Sequence, residues 1–188
     1  MGLKLITAPA TEPITLLEAK DHLKITETAE DALIAIWIEV ARDYCERYQN
    51  RAYITQTWEL ALDEWPENEI ISIPKPPLQS VTSIKYYDTA GKETEFPKTD
   101  YEVDTYSQPG RISPGYGKSW PSTILRPMNG IIIKFVTGYT GAVPERVKQA
   151  IKVLVGHLHE NRESVDIKEL KEVPFAVHSL LGLDKIGI

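Results

Sequence analysis

The spacing of apolar residues changes twice along this chain, and that change limits what it can fold into. From Glu30 to about Asn50, Leu33, Ile34, Trp37, Ile38, Ala41, Tyr44, Cys45 and Tyr48 recur at helical intervals. From residue 54 to residue 142 the apolar residues alternate with polar ones in short runs, as they do in half-buried strands. From residue 144 to residue 162 helical spacing returns, with Val147, Ala150, Ile151, Leu154, Val155 and Leu158 on one face. The class this predicts is α+β: about three main helices, with an antiparallel β module between the second and third in chain order. Residues 1–53 then form the N-terminal helical part, 54–142 the β module, and 143–188 the last helix and a tail.

Local signals sharpen the pattern. Thr15-Leu-Leu-Glu18 reads as a capping box, and Leu16, Ala19, His22 and Leu23 share one face of the short helix it opens. Glu30 and Asp31 stand in the positive first turn of the second helix. Ile36 and Val40 widen that helix's apolar stripe and predict burial on more than one side. In the β module, Thr55–Asp63 and Ser80–Tyr87 alternate. Asp88-Thr-Ala-Gly91 suits a turn before a return strand near Glu93–Phe96, and Tyr101–Tyr106 and Gly130–Thr137 read as further strands. Pro144 suits the first position of the third helix.

Residues 107–127, SQPGRISPGYGKSWPSTILRP, hold four prolines and three glycines. The segment reads as a long loop, because proline removes ladder donors and a structureless stretch of this length in a compact module is usually functional. Beyond residue 163 a charged run leads to the apolar cluster VPFAVHSLL, which needs a surface to cover it.

Charge and chemistry narrow the function classes. The net charge of −6 argues against gripping nucleic acid through a broad basic face. It does not exclude a protein that lets DNA slide past without gripping it. Cys45, the only cysteine, makes neither an internal disulfide nor a thiolate zinc site, and its place on the apolar helix face suits a small hydrophobe. No apolar run reaches the roughly 18 residues of a membrane span, and no basic segment followed by an apolar run marks a signal peptide. Gly115-Tyr-Gly117-Lys118-Ser119 lacks both the spaced glycine and the following helix of a phosphate loop. His157 and His159 are two apart on a helix and point to different faces, unlike a metal pair at i, i+4. No nucleophile elbow is present. The reading is a protein without catalytic residues, cofactor or metal.

Three blocks then point to a family. LKLITAPATEPITLLEAKDHLKI, EDALIAIWIEVARDYCERYQNRAYITQTWELALDEWP and VPERVKQAIKVLVGHLHENRES together resemble the head–tail connector (head-completion, adaptor) proteins of tailed phages and prophages. Between them IPKPPLQSVTSIKYYDTAGKE, YEVD, PGRISPGYGKSWP and IIIKFVTGY fall in the family's order. The resemblance covers nearly the whole chain, and the ending LLGLDKIGI departs from the family's usual one.

The resemblance implies a helical bundle core with the β module as an insertion between the second and third helices, and a virion structural protein, not an enzyme. It would form a ring of roughly twelve copies under the portal protein, extend the DNA channel and dock the next tail-side completion or terminator protein. DNA would pass without sequence-specific binding, and no membrane would be involved. Such a ring needs two different faces that meet head to tail. The candidate interface residues are Arg111, Lys118 and Trp120 in the Pro/Gly-rich segment and Phe175, Leu180 and Leu181 in the tail. Trp120 has two readings, an anchor of its own loop or a plug for a neighbour. A tail terminator or assembly chaperone is the alternative, but a terminator would show β-dominated sequence without two long helices. An enzyme would need a pocket of converging perturbed groups, which no motif marks.

Overall fold

A computed structural model describes residues 1–161 and 174–186 of the chain. The elements run β1 (Gly2–Thr7), α1 (Leu16–Leu23), α2 (Asp31–Gln49), β2 (Gln56–Leu62), β3 (Ile71–Ile73), β4 (Leu78–Tyr87), β5 (Glu93–Phe96), β6 (Tyr101–Asp104), β7 (Gly110–Pro114), β8 (Ile131–Thr137), α3 (Glu145–Glu160) and α4 (Phe175–Gly182). They fall into two compact units: a β unit of Met1–Ala10 and Ile54–Thr140, and a helical unit of Thr11–Tyr53 and Gly141–Ile188. The fold is α+β, with the antiparallel strands inserted between α2 and α3.

In the helical unit, α1 starts as the capping box requires. The Thr15 hydroxyl accepts from Glu18 N at 3.1 Å, and the Glu18 carboxylate accepts from Thr15 N at 2.7 Å. Those bonds, the backbone one first, hold the Glu18 carboxyl below its ordinary value. Helix α2 ends at Asn50, whose φ of 55° is left-handed and whose N–H closes the last turn. Ile34, Ile38, Ala41 and Cys45 on α2 are buried, as are Val147, Ala150, Ile151, Leu154 and Val155 on α3. His22, expected on the inner face of α1, is exposed.

The β unit has a five-stranded sheet, β1-β2-β8-β4-β5, and a three-stranded sheet, β3-β7-β6. Strand β8 alternates strictly: Ile131, Ile133 and Phe135 are buried, while Ile132, Lys134 and Val136 are half-exposed. These inward residues meet Leu60, Ile84 and Val81 of the flanking strands and Ile71, Ile73 and Ile112 of the smaller sheet in one core. The expected turn forms: Asp88 Oδ1 accepts from the N–H groups of Ala90 and Lys92, both at 2.9 Å.

Two expectations are corrected. Residues 1–10, expected in the N-terminal helical part, belong to the β unit, where β1 pairs antiparallel with β2, Leu3 opposite Leu60 and Leu5 opposite Trp58. The pairing joins segments some fifty positions apart, which local pattern cannot reveal. The segment 107–127 is not all loop, because β7 lies inside it, paired with both β3 and β6. Pro109 and Pro114 bound this strand rather than interrupt it, and Gly110 lets it pass close to β4: a Cβ there would lie 2.6 Å from Leu78 Cβ.

The cap gives a test. Replacing Thr15 by alanine should cost about 1 kcal/mol in urea unfolding. Because the folded Glu18 carboxyl is lowered, its share of stability is full above its unfolded value of 4.5 and fades as pH falls through the folded value. Glu18→Gln should therefore flatten the loss of stability below about pH 5. An unchanged acid limb in Glu18→Gln would show that the carboxylate contributes nothing there.

Candidate assembly surfaces

Three of the expected interface residues lie in or beside the smaller sheet. Arg111 leaves β7 and binds Asp104 of β6 through Nε at 3.0 Å and Nη2 at 2.7 Å. Asp104 also accepts from Ser107 Oγ at 2.6 Å and from the N–H groups of Tyr106 and Ser107. The Ser107 hydroxyl and then the Arg111 guanidinium hold this carboxyl far below the usual carboxylate range. Asp104 is therefore the pin of the β6–β7 turn, and Arg111 closes it. Lys118 pairs with Asp100 at 3.1 Å, and both charged partners keep solvent-facing surface.

Trp120 is an anchor. Its ring stacks on Trp65 at 4.7 Å and 6°, lies 5.3 Å from Phe96, and is buried. Its Nε1 donates to the Glu69 carbonyl at 3.1 Å. Of the two readings of Trp120, these contacts fit the anchor: it completes its own core.

In the tail, Leu181 is fully buried in the helical unit, so it too is a core residue rather than a free contact. Leu180 is half-buried and Phe175 is 83% exposed. Helix α4 is tied to the later turns of α2. His178 Nε2 meets Tyr44 Oη at 3.0 Å and stacks on Tyr48, and Gln49 Nε2 donates to the Leu181 carbonyl at 2.6 Å. The charged run of residues 163–172 lies outside the described residues.

Sequence reading missed one surface. Leu33, Ile36 and Val40 on α2, expected to be buried, are 39, 56 and 49% exposed. They share a face distinct from that of Ile34, Ile38 and Ala41, and the face turns polar one turn later at the exposed Asp43–Arg47 pair. Their i, i+3, i+7 spacing was legible; that the described elements leave them uncovered was not.

Nothing among the described residues builds a reactive centre. No group of three or more His, Cys, Asp or Glu side chains is placed to hold a metal ion. His159 lies 3.7 Å from Glu30 and edge-on to Trp37, while His157 faces Asn161. Burial pushes the Cys45 thiol up to about 12, so it is not a nucleophile at neutral pH. A hollow of about 240 Å³ is lined by Ile70, Glu102, Val103, Asp104, Arg111 and Ser113. Its one strongly shifted group, Asp104, is engaged in the turn. No described helix is long and apolar enough to cross a membrane.

Residues 13–109 match the family model of the phage gp6-like head-tail connector proteins. The chain belongs to that family. No curated protein matches this connector. Among solved structures, its fold is similar to a chain in the neck of an empty gene transfer agent (GTA) particle, computed with C6 symmetry. The TM-score there is 0.82 at 24% identity, covering 100% of this chain and 97% of that one. It is also similar to a chain in the virion of the native GTA particle (TM-score 0.81, 23% identity) and to one in the native neck computed with C12 symmetry (0.79, 24% identity). Coverage is again 100% of this chain and 97% of that one in both. At this identity the likeness establishes the shared fold.

The two roles assigned here separate by mutation. Trp120→Ala should lower stability by about 3–5 kcal/mol in urea unfolding. Arg111→Ala should cost about 1 kcal/mol or less, as half-exposed ion pairs do. Equal costs for both would contradict Trp120 as the anchor.

Proposed function

We propose that this connector is one subunit of a closed ring of roughly twelve copies at the head–tail junction of a tailed phage or phage-like particle. The ring sits between the portal protein and the next tail-side protein, and packaged DNA passes through it without sequence-specific contact. The role is structural rather than catalytic, with no cofactor, and the protein resides in the virion after synthesis in the host cytoplasm. The observation that carries this reading is the full-length likeness to the GTA neck chains. Both helical and β units are matched there, in particles whose necks were computed with sixfold or twelvefold symmetry. The family match supplies the connector assignment over the first part of the chain.

The physical character of the surface agrees. The chain carries a net charge of −6, which disfavours adhesion of DNA to a channel wall. Its unspent features are apolar helix faces and ion-paired turns, the materials of subunit contacts. Of the six expected interface residues, Phe175 is the most exposed. Arg111, Lys118 and Leu180 contribute their solvent-facing ends, and Trp120 and Leu181 act from the core by holding those segments in place.

Removing the gene from its particle-producing strain should leave filled heads that lack tails, and supplying the chain in trans should restore tailed particles. Tailed particles assembled in full yield without the chain would overturn the proposal.

A further inference from the structure

Among the described residues, the helical unit carries two apolar faces that its own elements do not cover. One is the α2 stripe of Leu33, Ile36 and Val40, which with Ala32 and Ala35 presents on the order of 300 Å² of apolar surface, as large as the main patch of a typical monomer. The other is the outer face of α4, where Phe175 and Leu183 are 83 and 82% exposed. Its inner face is occupied, since His178 and Leu181 bind α2 at Tyr44, Tyr48 and Gln49.

We infer that the α2 stripe of one copy receives the outer face of α4 from the next copy, forming the repeating seam of the ring. This rests on the ring reading above and names its contact. A closed ring needs two unlike faces per subunit, and these two lie on different helices. Glu39 flanks the α2 stripe with no ion-pair partner among the described residues. Helix α4 carries no acid, Asp184 beyond it is engaged by Arg146, and Lys185 lies over the ring of Tyr48 on its own α2 at 4.6 Å. The outer face of α4 therefore brings no acid against Glu39.

The size of the contact also fits a second copy held in a ring. Mating the two faces buries on the order of 600 Å², about half of what a stable free pair requires. The seam therefore fills when neighbours are held side by side, not between two free monomers.

The test uses the full chain within assembled particles. A double variant, Ile36→Cys with Leu183→Cys, is incorporated and treated with a short bismaleimide. Cys45 is silent because it is buried. The expected result is a ladder of covalent oligomers rising towards the full ring, absent from either single variant. Incorporated protein with no ladder, or cross-linking of Ile36→Cys alone, overturns the seam while leaving the connector role intact. Tailed particles that contain no copy of the chain overturn the connector role itself. As a second readout, Ile36→Asp should cut the yield of tailed particles at least tenfold with an unchanged circular dichroism spectrum, and adding Leu183→Lys should recover it. An unaffected yield in Ile36→Asp overturns the seam.

Discussion

The buried pair Arg42–Glu46 on α2 is the interaction on which the helical unit depends. Arg42 donates to Glu46 at 3.1 Å and, through Nε, to Glu12 at 2.7 Å. Glu46 accepts the N–H of Tyr53 at 2.6 Å. Glu12 lies where the chain first enters the helical unit, and Tyr53 where it leaves for the long β insertion. One helix turn thus pins both crossings, and both charges are largely withdrawn from water. Removing Arg42 would leave the Glu46 carboxylate in the interior without its cation, a cost of about 3–5 kcal/mol, whereas removing Glu46 leaves Arg42 paired with Glu12. Beside them Gln49 bonds Tyr53 Oη and the Leu181 carbonyl, so the same stretch of α2 also seats α4.

With its inner face spent in this way, α2 has an outer face free for other uses. The insertion achieves the same end by another route. Strand β8 lies between β2 and β4 and supplies Ile131, Ile133 and Phe135 to a core shared with the smaller sheet. Trp120 stacks on Trp65 over that core, and Asp104 gathers Tyr106, Ser107 and Arg111 at the opposite turn. Segments rich in proline and glycine are held in place by a few specific bonds, which lets them present side chains at low ordering cost to a partner.

Much of this was legible in sequence because it is local. The Thr15–Glu18 box, the long α2 with its Asn50 end, the Asp88–Gly91 turn and the alternation of β8 all follow from spacing and side-chain chemistry within a few residues. What was missed is nonlocal. Strand β1 exists because β2, far along the chain, offers it an edge, and β7 because β3 and β6 flank it on both sides. Trp120 sits in a stretch with no apolar periodicity, so nothing nearby announced that it would stack on Trp65. The exposed stripe of Leu33, Ile36 and Val40 was visible as excess apolar width on α2. A monomer's sequence does not say whether such width is covered from within or by a neighbour.

The proposed closed ring in a neck is open to direct imaging. Electron cryomicroscopy of the neck of its own particle tests that most directly. The account predicts density for about twelve copies in one closed ring, each with the present fold and with the outer face of α2 covered by an adjacent copy. A neck whose density has no place for this fold, or which holds it as a single copy off the particle axis, would contradict the account.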